Sequence, residues 1–340
     1  MATLNANYPT LLDLSMQPEA KDVMDIINLL VQFNPMLEDA PSYPCNDGLR
    51  HKTTVKTGLP SVTWGRLYKG IPATKGSRQI VEDVTGFVES ASVVDVRLVD
   101  IVEKAEDKAS IRMTEAEDHI EAMSQEVAST LFYGDSSIEP EKPTGFAPRF
   151  NSKTNAENAS QVIDGGGSGL DNTSIWMITW DKKASHLIYP KNYQLGLKRY
   201  DEPNSVLVAD SDGNEYRAYR EEFTWHFGLT VRNWQYVSRV CNIDVSDLVV
   251  DAATGADLVE LMTEMYYAHK GRRMSFGKTF IYMNTTLVKF LDYQARNASG
   301  KNLFLTFQDT GPNAKEVLHF RGVAIRESDA ILNSEDLVPA

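Results

Sequence analysis

Three short runs in this chain carry residue types that could hold a phosphate, a cation or a dinucleotide. The first, Gly271-Arg272-Arg273-Met274-Ser275-Phe276-Gly277-Lys278-Thr279, ends like a phosphate-binding loop. Such a loop needs four residues between its glycines and a helix N-terminus behind it, whereas five intervene here and a strand pattern follows. The spacing predicts a helix ending at Lys270, a Gly271 cap and a basic turn. The second run, Asp210-Ser211-Asp212-Gly213-Asn214-Glu215 with Glu221 in twelfth place, imitates a calcium loop. Glu215 stands where that loop requires glycine, and strand patterns flank it instead of helices. Asp212-Gly213 reads as a hairpin turn. The third, Gly165-Gly166-Gly167-Ser168-Gly169, lacks both the GxGxxG spacing and a following helix, which leaves a loop.

Catalytic groupings are equally sparse. His51, His119, His186, His226, His269 and His319 are scattered, and no HxxxH or HExxH spacing would bring two imidazoles onto one helix face. Cys45 and Cys241 are lone thiols without CxxC spacing, which fits a reducing compartment. Glu117 and Glu121 lie one helical turn apart, whereas glycosidase carboxylates converge from different elements across a cleft. No catalytic, cofactor-binding or metal-ligating set emerges, so no cofactor and no enzymatic activity are expected.

The elements that would position these residues are clearer than any site. At 340 residues the chain can bury a large core, and its 42% hydrophobic and 24% charged content is that of a globular protein. No apolar run is long enough to cross a membrane, and the start lacks a secretory pattern, so no membrane partner is expected. A net charge of −13 argues against a dedicated nucleic-acid binder.

From Thr114 to Tyr133 the apolar residues Ala116, Ile120, Met123, Val127 and Leu131 recur with helical period. Thr114 and Glu117 have the spacing of a capping box, and Gly134 supplies a stop. Pro18 to Pro35 reads as a second amphipathic helix, stopped by Pro35 and followed by a loop over Glu38 to Gly48, which together make an arm displaced from the main body. Between Gly48 and Val81 there is no Asp or Glu, while Arg50, Lys52, Lys56, Arg66, Lys69, Lys75 and Arg78 supply seven cations. β-Branched residues, Gly65, Gly70, Gly76, Pro60 and Pro72 make this segment a long bent hairpin, marginal unless it lies on another surface. The stretch from Asp100 to Glu126 is correspondingly acidic.

Beyond Asn151 a Gly-rich surface loop precedes strands at Ile175 to Trp180, Ser205 to Ala209 and Tyr216 to Ile243. Helices are expected over Ala256 to Lys270 and Thr285 to Ala295, with a strand from Phe280 to Met283. Strands and helices without regular βαβ alternation mean α+β.

Several passages in order resemble the tailed-bacteriophage major capsid proteins of the Hong Kong 97-like fold, most nearly the epsilon-fifteen-like podovirus group. They are LFYGDSSIEPEKPTGF after the first helix, SIWMITWDKKASHLIYPKNYQLGLKRYD from Ser174, EEFTWHFGLTVRNWQYVSRVCNID from Glu221, FIYMNTTLVKFLDYQ from Phe280 and GVAIRESDAIL from Gly322.

The resemblance implies an N-terminal arm over 1–48, an extended loop and its base over 49–98, and a peripheral domain with a long spine helix over 99–150. It further implies an axial domain over 151–212 and 251–340, with long strands over 213–250 belonging to the peripheral domain. The extended loop would lie on a neighbouring subunit, its Lys52, Lys56, Trp64, Arg66 and Lys69 meeting the neighbour's helix at Glu117 and Glu121. The implied function is self-assembly into hexamers and pentamers of an icosahedral head around double-stranded DNA. The virion capsid would be assembled in the bacterial host cytoplasm. Expected partners are the chain itself, a separate scaffolding protein, a portal protein, a decoration or staple protein, and packaged DNA through weak non-specific contact. The alternative is an encapsulin-type compartment shell enclosing cargo enzymes.

Overall fold

A computed structural model describes residues 35–97, 105–202, 205–209, 213–249, 255–273, 276–297, 305–308 and 317–339. The amphipathic helix expected from Pro18 lies outside them except for Pro35, as do Asp210 to Asp212 of the calcium-loop imitation. Pro35 is the first residue of α1 (Pro35–Asp39), a position where a proline's missing N–H is tolerated. The segment after it, expected as a loop over Glu38 to Gly48, packs on the main body. Met36 and Leu37 are buried, and β1 (Ser42–Pro44) pairs in parallel with residues 187–189 of the main sheet.

Next come β2 (Arg50–Gly58) and β3 (Ser77–Val84), which form a separate two-stranded antiparallel ribbon. After Thr85 the chain enters β4 (Gly86–Asp95), and the long helix α2 (Ala105–Tyr133) follows. Helical backbone therefore runs straight through Thr114, so the Thr114 and Glu117 capping box is not the helix start. The residues before it, Ala105 to Met113, are themselves good helix formers apart from Asp107, Ser110 and Ile111, and neither Gly nor Pro breaks the helix there.

The remaining strands are β5 (Val162–Asp164), β6 (Asn172–Trp180), β7 (Ser185–Tyr189), β8 (Leu197–Asp201), β9 (Val206–Ala209), β10 (Glu215–Val231) and β11 (Val237–Asp244). Helix α3 (Leu258–Ala268), β12 (Lys278–Met283), helix α4 (Thr285–Asn297), β13 (Leu305–Gln308), β14 (Val317–Phe320) and β15 (Val323–Glu327) complete the set. The run from Tyr216 to Ile243 holds two strands, β10 and β11, separated by a 3-10 turn at Trp234–Tyr236. The Gly-rich loop is likewise less open than its composition suggests, because Val162–Asp164 pairs in parallel with β11.

Thirteen strands form one mixed sheet, with a main path β13-β14-β15-β12-β6-β7-β10-β4. Its centre, β6, is buried along its whole length because both faces are covered. Trp176, Ile178 and Trp180 point to the cluster that includes Ile120, Met123, Val127 and Leu131 of α2. Ile175 and Met177 point the other way, into a cluster with Met262 and Met265 of α3 and Leu287 and Leu291 of α4. The period-2 alternation of one strand thus serves two cores.

Strand β10 joins two parts of the sheet. Its first part pairs with β4 on one side and with β8 and β9 on the other, and Gly228 to Val231 pairs with β7. The passage after α2 folds back onto the helix end: Gly145 donates to the Gly134 carbonyl at 2.8 Å and Phe146 to that of Leu131 at 3.0 Å. A Cβ on Gly145 would lie 2.7 Å from the Leu131 carbonyl oxygen, so only glycine permits this return. Helix α2 ends by this close approach, not by a left-handed Gly134. Similarly, α3 ends at Ala268 with His269 as its cap, and Gly271 is needed because a Cβ there would collide with Thr179 and His269.

Candidate intersubunit surfaces

The ribbon is held by its own ladder, from Arg50 opposite Val84 to Gly58 opposite Ser77. Residues 59–76 at its tip have no regular strand structure and are exposed almost throughout. Leu59, Val62, Trp64, Leu67, Tyr68 and Ile71 are all large exposed apolar side chains, with Trp64 at 98% exposure. Such a concentration of apolar surface on a two-stranded arm is the mark of a surface that becomes buried in an assembly. Lys56, Arg66, Lys69, Lys75 and Arg78 have no ion-pair partner among the described residues, whereas Lys52 pairs with its own Asp47 at 2.5 Å and Arg50 with Glu82 at 2.7 Å. Two open grooves flank the ribbon, one beside Gly58, Leu59 and Lys75, the other between β2 and Lys183, Arg232 and Trp234.

The root of the ribbon is polar and buried. Asp83, opposite His51 in the ladder, accepts from Arg149 at 2.8 Å and from the Thr230 hydroxyl. The same Arg149 guanidinium group donates to the carbonyls of Thr144, Gly145 and Leu229. His51 meets His186 edge-on at 5.6 Å, and burial lowers the His186 pKa to about 3.

On α2, Ala116, Ile120, Met123, Val127 and Leu131 all face the core as their period demands. Glu121 is half-buried and accepts from Gln125 at 3.2 Å. Glu117 lies one turn earlier on the same helix, and its side chain is outside the described set. Lys52 and Lys56 lie on β2, and Trp64, Arg66 and Lys69 lie in the exposed tip beyond it.

Two buried networks were not legible in the sequence. Arg239 pairs with Glu335 at 2.8 Å, donates to Ser174 and the Phe150 carbonyl, and stacks 4.8 Å from the Trp176 ring. Tyr133 donates to Glu335 at 2.5 Å, its own pKa pushed up by burial and by that carboxylate. In the second network Trp180 donates to Tyr282 and Tyr282 to Asp39, each at 2.9 Å, and Arg326 reaches Asp39 at 3.2 Å. The only signal either network leaves in the sequence is a charged or polar residue amid apolar neighbours.

Both cysteines are free and buried, and burial pushes each thiol up to about 11, far from thiolate reactivity. Among the described residues no group of three or more His, Cys, Asp or Glu could hold a metal ion, and no helix is long and apolar enough to cross a membrane.

The structure of bacteriophage Epsilon15 is similar to this chain at 34% sequence identity, covering 99% of each chain with a TM-score of 0.72. The capsid of bacteriophage JBD30 (9% identity, 86% of this chain and 89% of that one, TM-score 0.49) and an encapsulin from Synechococcus elongatus (10%, 61% and 86%, TM-score 0.40) are fainter likenesses that add nothing to the assignment. No curated protein matches the sequence. The family model described as major capsid protein GP7 matches residues 18–339. With a ribbon whose tip exposes large apolar side chains, a long helix packed on the sheet and that match along nearly the whole chain, the protein belongs to the major capsid protein GP7 family and has the Hong Kong 97-like capsid fold.

Proposed function

We propose that this capsid subunit assembles with copies of itself into the hexamers and pentamers of an icosahedral tailed-phage head around double-stranded DNA. One observation carries the reading: the ribbon exposes Val62, Trp64, Leu67, Tyr68 and Ile71 where its own subunit offers no cover. In the proposed lattice the tip lies on a neighbour, and its unpaired Lys56, Arg66 and Lys69 face the neighbour's Glu117 and Glu121. Lys52 contributes at the margin, since it also serves Asp47.

The division into an N-terminal arm, extended loop, peripheral domain and axial domain follows the boundaries given by the resemblance. A separate scaffolding protein, a portal protein and a decoration or staple protein complete the set of partners, with assembly in the host cytoplasm. Contact with the packaged DNA is weak and non-specific, in keeping with a net charge of −13. The role is structural, without a reaction.

Deleting Thr53 to Ser77 tests this reading. The two-core body is expected to remain folded, as read by circular dichroism and a cooperative melt, while closed particles disappear from sedimentation profiles. Closed particles of normal size from the truncated chain would refute the ribbon's role.

A further inference from the structure

We infer that Asp83 is the positioning residue of the extended ribbon: through Arg149 and Thr230 it sets the angle at which the ribbon leaves the subunit, and hence the curvature of the shell. This rests on the proposed seating of the ribbon on a neighbour. Strands β2 and β3 form a sheet of their own, so no ladder joins them to the thirteen-stranded sheet. A ribbon attached only at its base can swing unless directional bonds hold the base.

Asp83 is the buried charged residue on the ribbon, at 3% exposure. One carboxylate oxygen takes the Arg149 guanidinium at 2.8 Å and the other takes the Thr230 hydroxyl. Both partners are themselves immobilised. Arg149 is fixed by the carbonyls of Gly145 at 3.1 Å, Thr144 at 3.1 Å and Leu229 at 3.2 Å, which belong to the return loop after α2 and to β10. Thr230 is buried where β10 pairs with β7. Two acceptor directions on one carboxylate, each directed at a rigid donor, fix an orientation as well as a distance. Thr85 closes the base behind it, its N–H and hydroxyl both donating to the Leu49 carbonyl at 3.0 and 2.9 Å.

Leverage makes this small cluster consequential. The ladder from His51 to Gly58 extends about 23 Å at the usual strand rise, so a rotation of about 5° at the root moves the far end by about 2 Å. A displacement of that size takes a packed apolar tip out of register with its seat, because close-packed contacts fall off within about 1 Å.

The test uses full-length chains carrying Asp83→Asn or Thr230→Val, assembled into shells and sized by electron microscopy, with melting of the chain measured in parallel. Thr230→Val removes one hydroxyl at nearly constant volume, so it decides the matter should Asp83→Asn fail to fold. The expected result is closed shells whose spread of diameters widens at least about twofold. Melting of Thr230→Val should stay within a few degrees of the parent. Shells of the parent's uniform diameter from Thr230→Val overturn the inference, as does a lowered melting temperature with an unchanged spread, which assigns Asp83 a merely structural role. Loss of the ribbon's seating would show separately, as closed shells from the chain lacking Thr53 to Ser77.

Discussion

Asp39 shows how burial can outweigh an ion pair at a single residue. Its side chain is only 5% exposed, and Arg326, itself partly exposed, reaches it at 3.2 Å. Desolvation raises its pKa from 3.8 to about 6, with Glu38 adding to the rise and Arg326, Tyr282 and Lys278 opposing it. A carboxyl whose folded value lies above its unfolded one binds more protons when folded. Its stabilising contribution is therefore fully present below about 3.8 and is lost as pH rises through about 6. Between pH 7.5 and 5 the folding equilibrium should shift about tenfold toward the folded state through this group. The protection factors of residues 36–45 against hydrogen exchange, each taken relative to the intrinsic rate at the same pH, should rise on acidification across that window, and Asp39→Asn should remove the rise. Lower protection factors at pH 5 in the parent would mean that the Arg326 pair dominates.

At the scale of elements, the C-terminal segment is held by polar contacts as much as by apolar ones. Glu335 lies between Arg239 of β11, Ser174 of β6 and Tyr133 at the end of α2, so one carboxylate ties a terminal segment to a strand pair and the spine helix. The backbone repeats the attachment, with Glu335 donating to Asn172 at 2.8 Å and Val338 accepting from and donating to Asn242. Removing one member of a buried pair leaves the other charge without compensation, at a cost of about 3–5 kcal/mol. Glu335→Ala should destabilise the chain by that order in denaturant unfolding, and the double change Glu335→Leu with Arg239→Met should recover a large part of it. Additive losses in the double variant would show that the two residues do not act as a pair.

At the scale of the whole molecule, charge is distributed in a way that its sum conceals. A chain of net charge −13 carries a ribbon tip with cations and no acids, so copies can attract through these patches while repelling elsewhere. Exposed pairs contribute little singly and are screened by salt, yet each recurs at every subunit contact. Changing Arg66 and Lys69 to Glu should lower the particle yield in sedimentation. Changing Glu117 and Glu121 to Lys in the same chain should restore part of it, and high salt should weaken the parent contact. Full yield from the first variant, or no rescue in the second, would discard this pairing and leave the fold assignment intact.

Features that depend on neighbours a few residues apart were legible in the chain before folding. Period-3.6 apolar spacing identified the buried face of α2, and the short apolar run from Ile175 to Trp180 was expected as a strand where β6 lies. A run of cations with Gly and Pro identified the ribbon, because an arm with no core of its own needs no regular pattern. The start of α2 escaped, since Thr114 and Glu117 have cap spacing but nothing before them breaks a helix. The Gly-rich run also escaped, because pairing with β11 gives Val162–Asp164 a strand that their composition does not demand. Tertiary structure alone decided the polar joints: Asp83 meets Thr230 across 147 residues, and Arg239 meets Glu335 across 96. A buried charge is stable only with its partner, and no local pattern specifies a partner that only the closed fold brings near.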